Sequence, residues 1–183
     1  MAIKTFTTGE VLTASDTNTY LANSGLVYVK SQTVGSGVGS VTVSSAFSTD
    51  YDNYKVQYIG GTGTASSVLT FAYTGTNGNA GWYGNLIYAN FLSAAPLSAG
   101  YNNAASITHA GGNAGGRWNM TLELQQPFLS ANSFLSAPYV DSSNAGNMSG
   151  YHSFANSYTG FVLTPTTGTL TGGTIIVYGY RKA

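Results

Sequence analysis

From residue 25 onward, apolar side chains recur at every second position in short runs, not at every third or fourth. The clearest run is RWNMTLELQQ (Arg117–Gln126). Trp118, Met120, Leu122 and Leu124 fall on one face, and Arg117, Asn119, Thr121, Glu123 and Gln125 on the other. Tyr54, Val56 and Tyr58 alternate with Lys55 and Gln57 in the same way. Such alternation marks strands with one buried face. Further strand-like runs cover Leu26–Val34, Val41–Phe47, Ser67–Thr74 and Trp82–Asn90, and GFVLTPT and GTIIVYGYRK close the chain. Gly- and Asn-rich turns separate them, and no segment after Gly25 keeps a helical period over ten residues. Eight to ten short strands of this kind predict an all-β fold: an antiparallel β-sandwich or jelly-roll-like domain over residues 26–183. Two regions read as irregular. Phe91–Gly116 is small and polar, a long loop with one strand around Ser106–His109, and Pro138–Gly150 is the second.

Residues 1–25 follow a different pattern. Thr13 is a plausible N-cap, and Asp16 three residues on has capping-box spacing, with Asp in place of the preferred Glu or Gln. Gly25 supplies a stop. The spacing predicts one short helix, Ala14 to Asn23, with a weak apolar stripe of Ala14, Tyr20, Leu21 and Ala22. Ten residues are too few for a helix stable alone in water. With Phe6, Val11 and Leu12 before it, the segment needs a surface to pack on. Phe6, Val11, Leu12, Tyr20 and Leu21 are therefore the expected attachment residues, buried against another chain or against the base of the β domain.

Composition narrows the partners. The chain holds 24 Gly, 21 Ser, 23 Thr and 15 Asn, 83 of its 183 residues, while only 7% are charged and the formal net charge is zero. No basic patch is available for phosphates, which disfavours nucleic acid. No run of about 18 apolar residues or Lys/Arg-rich amphipathic stretch points to membrane insertion. MAIKTFTTGE lacks the apolar core of a secretory signal. Cysteine is absent, so packing alone must hold the fold. Fourteen Tyr, eight Phe and two Trp are too many for a disordered linker. A neutral surface protects poorly against self-association, which suits a chain held in an assembly.

Candidate chemistry is sparse. The two histidines, His109 and His152, form no metal-binding or protease motif, and the carboxylates are scattered. Asp50 and Asp52 in STDYDNY would share one face of a strand, as a glycosidase pair would, but Asp/Asn/Tyr clusters at strand starts are far more often turn and cap chemistry. VGSGVGS lacks the lysine and the helix of a phosphate-binding loop. The expectation is no enzyme, no metal and no cofactor. The strongest binding signal is aromatic: Trp82-Tyr83 after a Gly/Asn turn, and Tyr101-Asn102-Asn103 in the long loop. Rings beside amides suit sugar faces and hydroxyls, so Trp82, Tyr83, Tyr101 and Asn102 are candidate glycan-binding residues. The alternative is that these aromatics pack in the core or between subunits, which β-sheet tyrosines commonly do.

Three stretches carry a family resemblance. FTTGEVLTASDTNTYL (Phe6–Leu21), YDNYKV (Tyr51–Val56) and GGTIIVYGYRK (Gly172–Lys182) resemble the opening, an early strand and the closing strand of tailed-bacteriophage virion structural proteins, of the minor tail, tail-fibre, head-fibre or decoration type. The resemblance implies a non-enzymatic structural or adhesive subunit on the phage particle surface, assembled in the host cytoplasm. With the dockable N-terminal segment and the low charge, the expected partners are other virion proteins and further copies of the chain, a trimer favoured; the aromatic, Asn-rich loops around Trp82 and Tyr101 make a host-surface glycan the alternative ligand. The resemblance carries over no catalytic residue.

Overall fold

The computed structural model describes residues 7–16, 25–63 and 67–182. Fourteen antiparallel strands and one short helical turn are its regular elements. One sheet runs, in spatial order, β1 (Leu26–Thr33), β14 (Thr174–Arg181), β3 (Tyr51–Ile59), β9 (Arg117–Gln125), β10 (Ser133–Val140), β11 (Asn144–His152), β6 (Trp82–Asn90) and β7 (Pro96–Ala104). The other runs β2 (Val41–Val43), β12 (Phe161–Pro165), β5 (Val68–Tyr73) and β8 (Ile107–Ala114). The expected all-β, sandwich-like architecture is therefore present.

Strand β9 belongs to both sheets. Arg117, Trp118 and Asn119 pair with β8, whereas Met120 to Gln125 pair with β3 on one side, and Glu123 to Gln125 with β10 on the other. Asn119 holds the point of divergence: its Nδ2 donates to the carbonyls of Gly112 at 3.1 Å and Val140 at 2.9 Å. Two further strands bend beside it. β3 leads through Gly60-Gly61 into β4 (Thr62–Gly63), and β13 (Leu170–Thr171) leads through Gly172-Gly173 into β14. Gly60, Gly172 and Gly173 have φ of 74°, 64° and 80°, a region open to glycine at little cost. A Cβ on Gly173 would sit 2.4 Å from the Gly61 nitrogen, so the two bends can nest only if no side chain lies between them.

The facing sides of the sheets enclose one core. Tyr54, Val56, Leu122, Leu124, Leu135, Met148, Leu86, Ile175 and Val177 come from the first sheet, and Val43, Phe161, Leu163, Leu69, Phe71 and Ile107 from the second. Rings knit the two together. Phe71 and Tyr73 of β5 meet Trp82 of β6 at centroid distances of 5.7 and 5.0 Å, and Phe47 meets Tyr54 at 4.8 Å. Each fully buried large side chain contributes about 1.5–3 kcal/mol, and favourable ring pairs about 0.5–1.5 kcal/mol more. Tyr54 also ties down its own strand entry: its hydroxyl donates to the Ser48 carbonyl at 3.0 Å and accepts from the Ser48 amide at 2.8 Å.

Two expectations need correction. Phe91–Gly116 is not a long loop with one strand: it forms the edge strand β7 and the central strand β8. Pro138–Gly150 is not irregular either, because it completes β10 and supplies most of β11. In β10 the buried positions are Ser133, Leu135, Ala137 and Tyr139, while Phe134 and Val140 face outward, so hydropathy hid a strict alternation. Pro138 is tolerated because pairing of β10 with β9 ends at Ser136, leaving that edge without a ladder to interrupt. The predicted helix is described only over Ala14–Asp16, and Thr17 to Asn23 lie outside the described residues.

Gly173→Ala is expected to destabilise the protein by more than Gly37→Ala. Gly37 also has positive φ but open space around it, so alanine there meets only the backbone cost of about 1–2 kcal/mol. Equilibrium denaturation of both variants checks this, and equal losses would show that the nested bends are not under steric constraint.

Candidate functional site

The sequence-predicted glycan residues separate into three environments. Trp82 is fully buried. It opens β6 on the inward face, its Nε1 donates to the Gly78 carbonyl at 3.1 Å, and its ring lies 4.6 Å from that of His152, its cross-strand partner on β11. It presents no face to a sugar and serves as core, the alternative that the sequence also allowed. Around it, Tyr73 stacks on Tyr158 at 4.3 Å and 12°, and the Tyr73 hydroxyl shares a buried hydrogen bond with Ser133 at 2.9 Å. Burial pushes the Tyr73 phenol well above its ordinary range, so it stays protonated. His152 is buried beside these rings, and its Nε2 meets the Asn77 carbonyl at 3.0 Å. A carbonyl only accepts, so Nε2 carries the proton and Nδ1 is the bare nitrogen.

Tyr101 sits half-buried on β7, packed against the core. Its hydroxyl donates to the Thr108 carbonyl at 2.6 Å and lies 2.7 Å from His109 Nδ1. Having spent its own proton on the carbonyl, the hydroxyl accepts from Nδ1–H, which sets His109 in the opposite tautomer from His152. His109 has φ of 68°, in an irregular stretch of β8 between the Leu69 and Phe71 pairings. The bulge turns its ring toward Tyr139, 5.0 Å away and edge-on. The Tyr139 hydroxyl in turn donates to Asp141 Oδ2 at 2.5 Å, and Asp141 Oδ1 accepts from the amides of Ser143 and Asn144, each at 2.7 Å. Burial alone would raise the pKa of Asp141, but these hydrogen bonds outweigh it and hold the carboxyl below its usual range. The chain of groups ends in a tight turn between β10 and β11. Its polar atoms are spent on one another, which fixes the turn.

Tyr83, half-buried, lies on the outer face of its sheet, and Asn102 is exposed. Trp82 pairs with Ala104 and Gly84 with Tyr101, so an irregularity places Asn102 and Asn103 opposite Tyr83. Tyr83 stacks on its other neighbour, Tyr151 of β11, at 5.2 Å and 14°, and Tyr151 meets Phe134 of β10 at 6.3 Å. The three rings form a ladder across the outer face of the larger sheet. Phe134 and Tyr151 were not singled out from sequence. Reading the outward positions of neighbouring strands in register would have found them, but the register comes only from the fold.

The attachment residues Val11 and Leu12 are 78% and 49% exposed, while Phe6, Tyr20 and Leu21 lie outside the described residues. The capping box forms as spaced: Asp16 N–H donates to Thr13 Oγ1 at 3.1 Å, and Thr13 N–H donates to Asp16 Oδ2 at 3.2 Å. Thr7 N–H donates to Glu10 Oε2 at 3.2 Å in a second turn of the same spacing. Asp50 takes the Ser48 hydroxyl at 3.0 Å, and Asp52 pairs with Lys182 at 2.8 Å, so these carboxylates do turn and ion-pair work. Among the described residues no group of three His, Asp or Glu side chains is placed to hold a metal, and no helix is long and apolar enough to cross a membrane.

Burial lowers the pKa of both histidines. Above about pH 6.5 they are neutral in the folded and unfolded chain alike, and the stability they permit is complete. As pH falls below that value the unfolded chain binds protons first, so stability should decline until the depressed folded-state values are reached. Imidazole nitrogen shifts followed by NMR from pH 7.5 to 5 should show both rings neutral below pH 6.5, with Nδ1–H at His109 and Nε2–H at His152; ordinary titration of either ring would contradict its placement. Compared with known protein families, curated proteins and solved structures, the chain finds no match.

Proposed function

We propose that this chain is a non-enzymatic structural subunit of a tailed-bacteriophage virion: a small multi-copy appendage, fibre or decoration protein that docks through its N-terminal segment. The observation that carries the reading is the state of that segment. Its turns are preformed by two Thr-x-x-acid hydrogen-bonding units, yet Val11 and Leu12 stand in solvent. Local order with uncovered apolar side chains is what a segment awaiting a partner surface presents. The β domain supports the same role. Its two histidines and its Tyr139–Asp141 pair are absorbed into packing and turns, and its surface is neutral and rich in hydroxyls and amides. Phe91 and Leu92, 58% and 98% exposed at the β6–β7 hairpin tip, add apolar surface that self-assembly into a trimer or contact with other virion proteins would cover.

Deleting residues 1–25, or making Val11→Asp with Leu12→Asp, is expected to abolish incorporation into particles. The far-ultraviolet β signal and thermal midpoint of the isolated protein should stay within a few degrees of the parent. Incorporation of the truncated chain at the parental level, scored by mass spectrometry of purified particles, would remove the docking role.

A further inference from the structure

The outer face of the larger sheet holds a groove that the attachment role does not use. It is an open groove of about 410 Å³ lined by Asn53, Glu123, Leu124, Gln125, Ser136 and Tyr180. Strand register explains why these residues meet. Tyr180 of β14 is the partner of Asn53 on β3, Asn53 of Gln125 on β9, and Gln125 of Phe134 on β10. The row continues through Tyr151 to Tyr83. One row along lie Lys55, Glu123 and Ser136. Aromatic rings therefore bound a polar floor: Tyr180 on one side, and the Phe134–Tyr151–Tyr83 ladder on the other. Three inter-strand steps separate Tyr180 from Phe134, about 14 Å at the usual strand spacing.

The charge within the floor cancels. Glu123 takes Lys55 Nζ on one oxygen at 3.2 Å and the Tyr180 hydroxyl on the other at 2.7 Å. These bonds also brace Tyr180 across β3, which fixes the position of its ring. With the carboxylate occupied, neither an anion nor a cation gains a free counter-charge there. What remains is two side-chain amides and a hydroxyl on the floor, with rings of Phe134 and Tyr180 that are 46% and 36% exposed. Amides can both donate to and accept from hydroxyl groups, and a ring offers a flat apolar surface to the C–H face of a pyranose.

From this juxtaposition we propose that the groove between Tyr180 and Phe134 binds a neutral oligosaccharide, with Asn53 and Gln125 as the hydroxyl-reading side chains. The site differs from the one suggested by the order of residues along the chain, sharing with it only Tyr83 at the far end of the ladder. Trp82 and Tyr101 take no part.

The test titrates the ¹⁵N-labelled full chain with cellotetraose, maltotetraose and chitotetraose, and with a heparin-derived tetrasaccharide as an anionic comparison. At least one neutral probe should shift the amides of Asn53, Gln125, Ser136 and Phe134 in a saturable way. The Asn53→Ala/Gln125→Ala variant, checked for an unchanged thermal midpoint, should bind that probe at least tenfold more weakly. Shifts by none of the neutral probes, shifts clustered away from the groove, undiminished binding by the variant, or preference for the heparin fragment would each overturn the assignment. If copies of the chain cover this face in solution, the neutral probes fail to shift these amides, and that outcome too counts against it. Because the titration uses the isolated protein, its failure leaves the docking role, which is read from particle incorporation, standing.

Discussion

The two sheets are held face to face by aromatic rings, and the rest of the structure depends on that contact. A chain with almost no charge and no cysteine has few other means of fixing one sheet on another. Tyr73 is central: it touches Trp82, Tyr158, His152, Phe71 and Phe47 from both layers. Rings give large buried area for little side-chain entropy, and their edge-to-face preferences restrict how the layers can slide. The Tyr73 hydroxyl and Trp82 Nε1, drawn inward with the rings, find partners in Ser133 and the Gly78 carbonyl, whereas His152 Nδ1 is buried bare. The core thus absorbs residues that, seen alone, look like binding or catalytic groups.

Where strands leave one sheet for the other, small residues replace rings. Asn119 bridges β8 and β10 at the divergence point, and the glycine pairs at residues 60–61 and 172–173 let two strands bend against each other. The arrangement leaves one broad outer face whose charges are few and internally paired. Its properties follow from the cross-strand neighbours of each outward residue, not from any contiguous motif. The N-terminal turns lie apart from this organisation, their apolar side chains exposed where those of the β domain are mostly buried.

Legibility in the sequence varied with the chemistry of each strand. β9 was readable because its inward residues are Trp, Met and Leu and its outward ones polar. β6 was bounded correctly from Trp82 to Asn90. β10 and β11 were missed because serine, alanine and glycine occupy inward positions and phenylalanine and valine outward ones. β7 was missed because an edge strand with most of its length exposed needs no apolar alternation. The capping spacing of Thr13 and Asp16 was legible because it is a local backbone effect complete within four residues. Trp82 was misleading because its neighbours in sequence, a Gly/Asn turn and a tyrosine, resemble a surface loop, while its neighbours in space are Phe71, Tyr73 and His152.

What the amino-acid sequence determined by itself was therefore the class of fold, the position of its clearest strands, the local turns of the N-terminus and the electroneutral character of the surface. These follow from side-chain periodicity, hydrogen bonds between near neighbours and composition, which act over a few residues. The tertiary structure alone decided which aromatics are core and which are surface, set the opposite tautomers of the two histidines, and assembled the groove of Tyr180, Asn53, Gln125 and Phe134. Those outcomes depend on strand register, which brings together residues more than a hundred positions apart, and no local pattern encodes it.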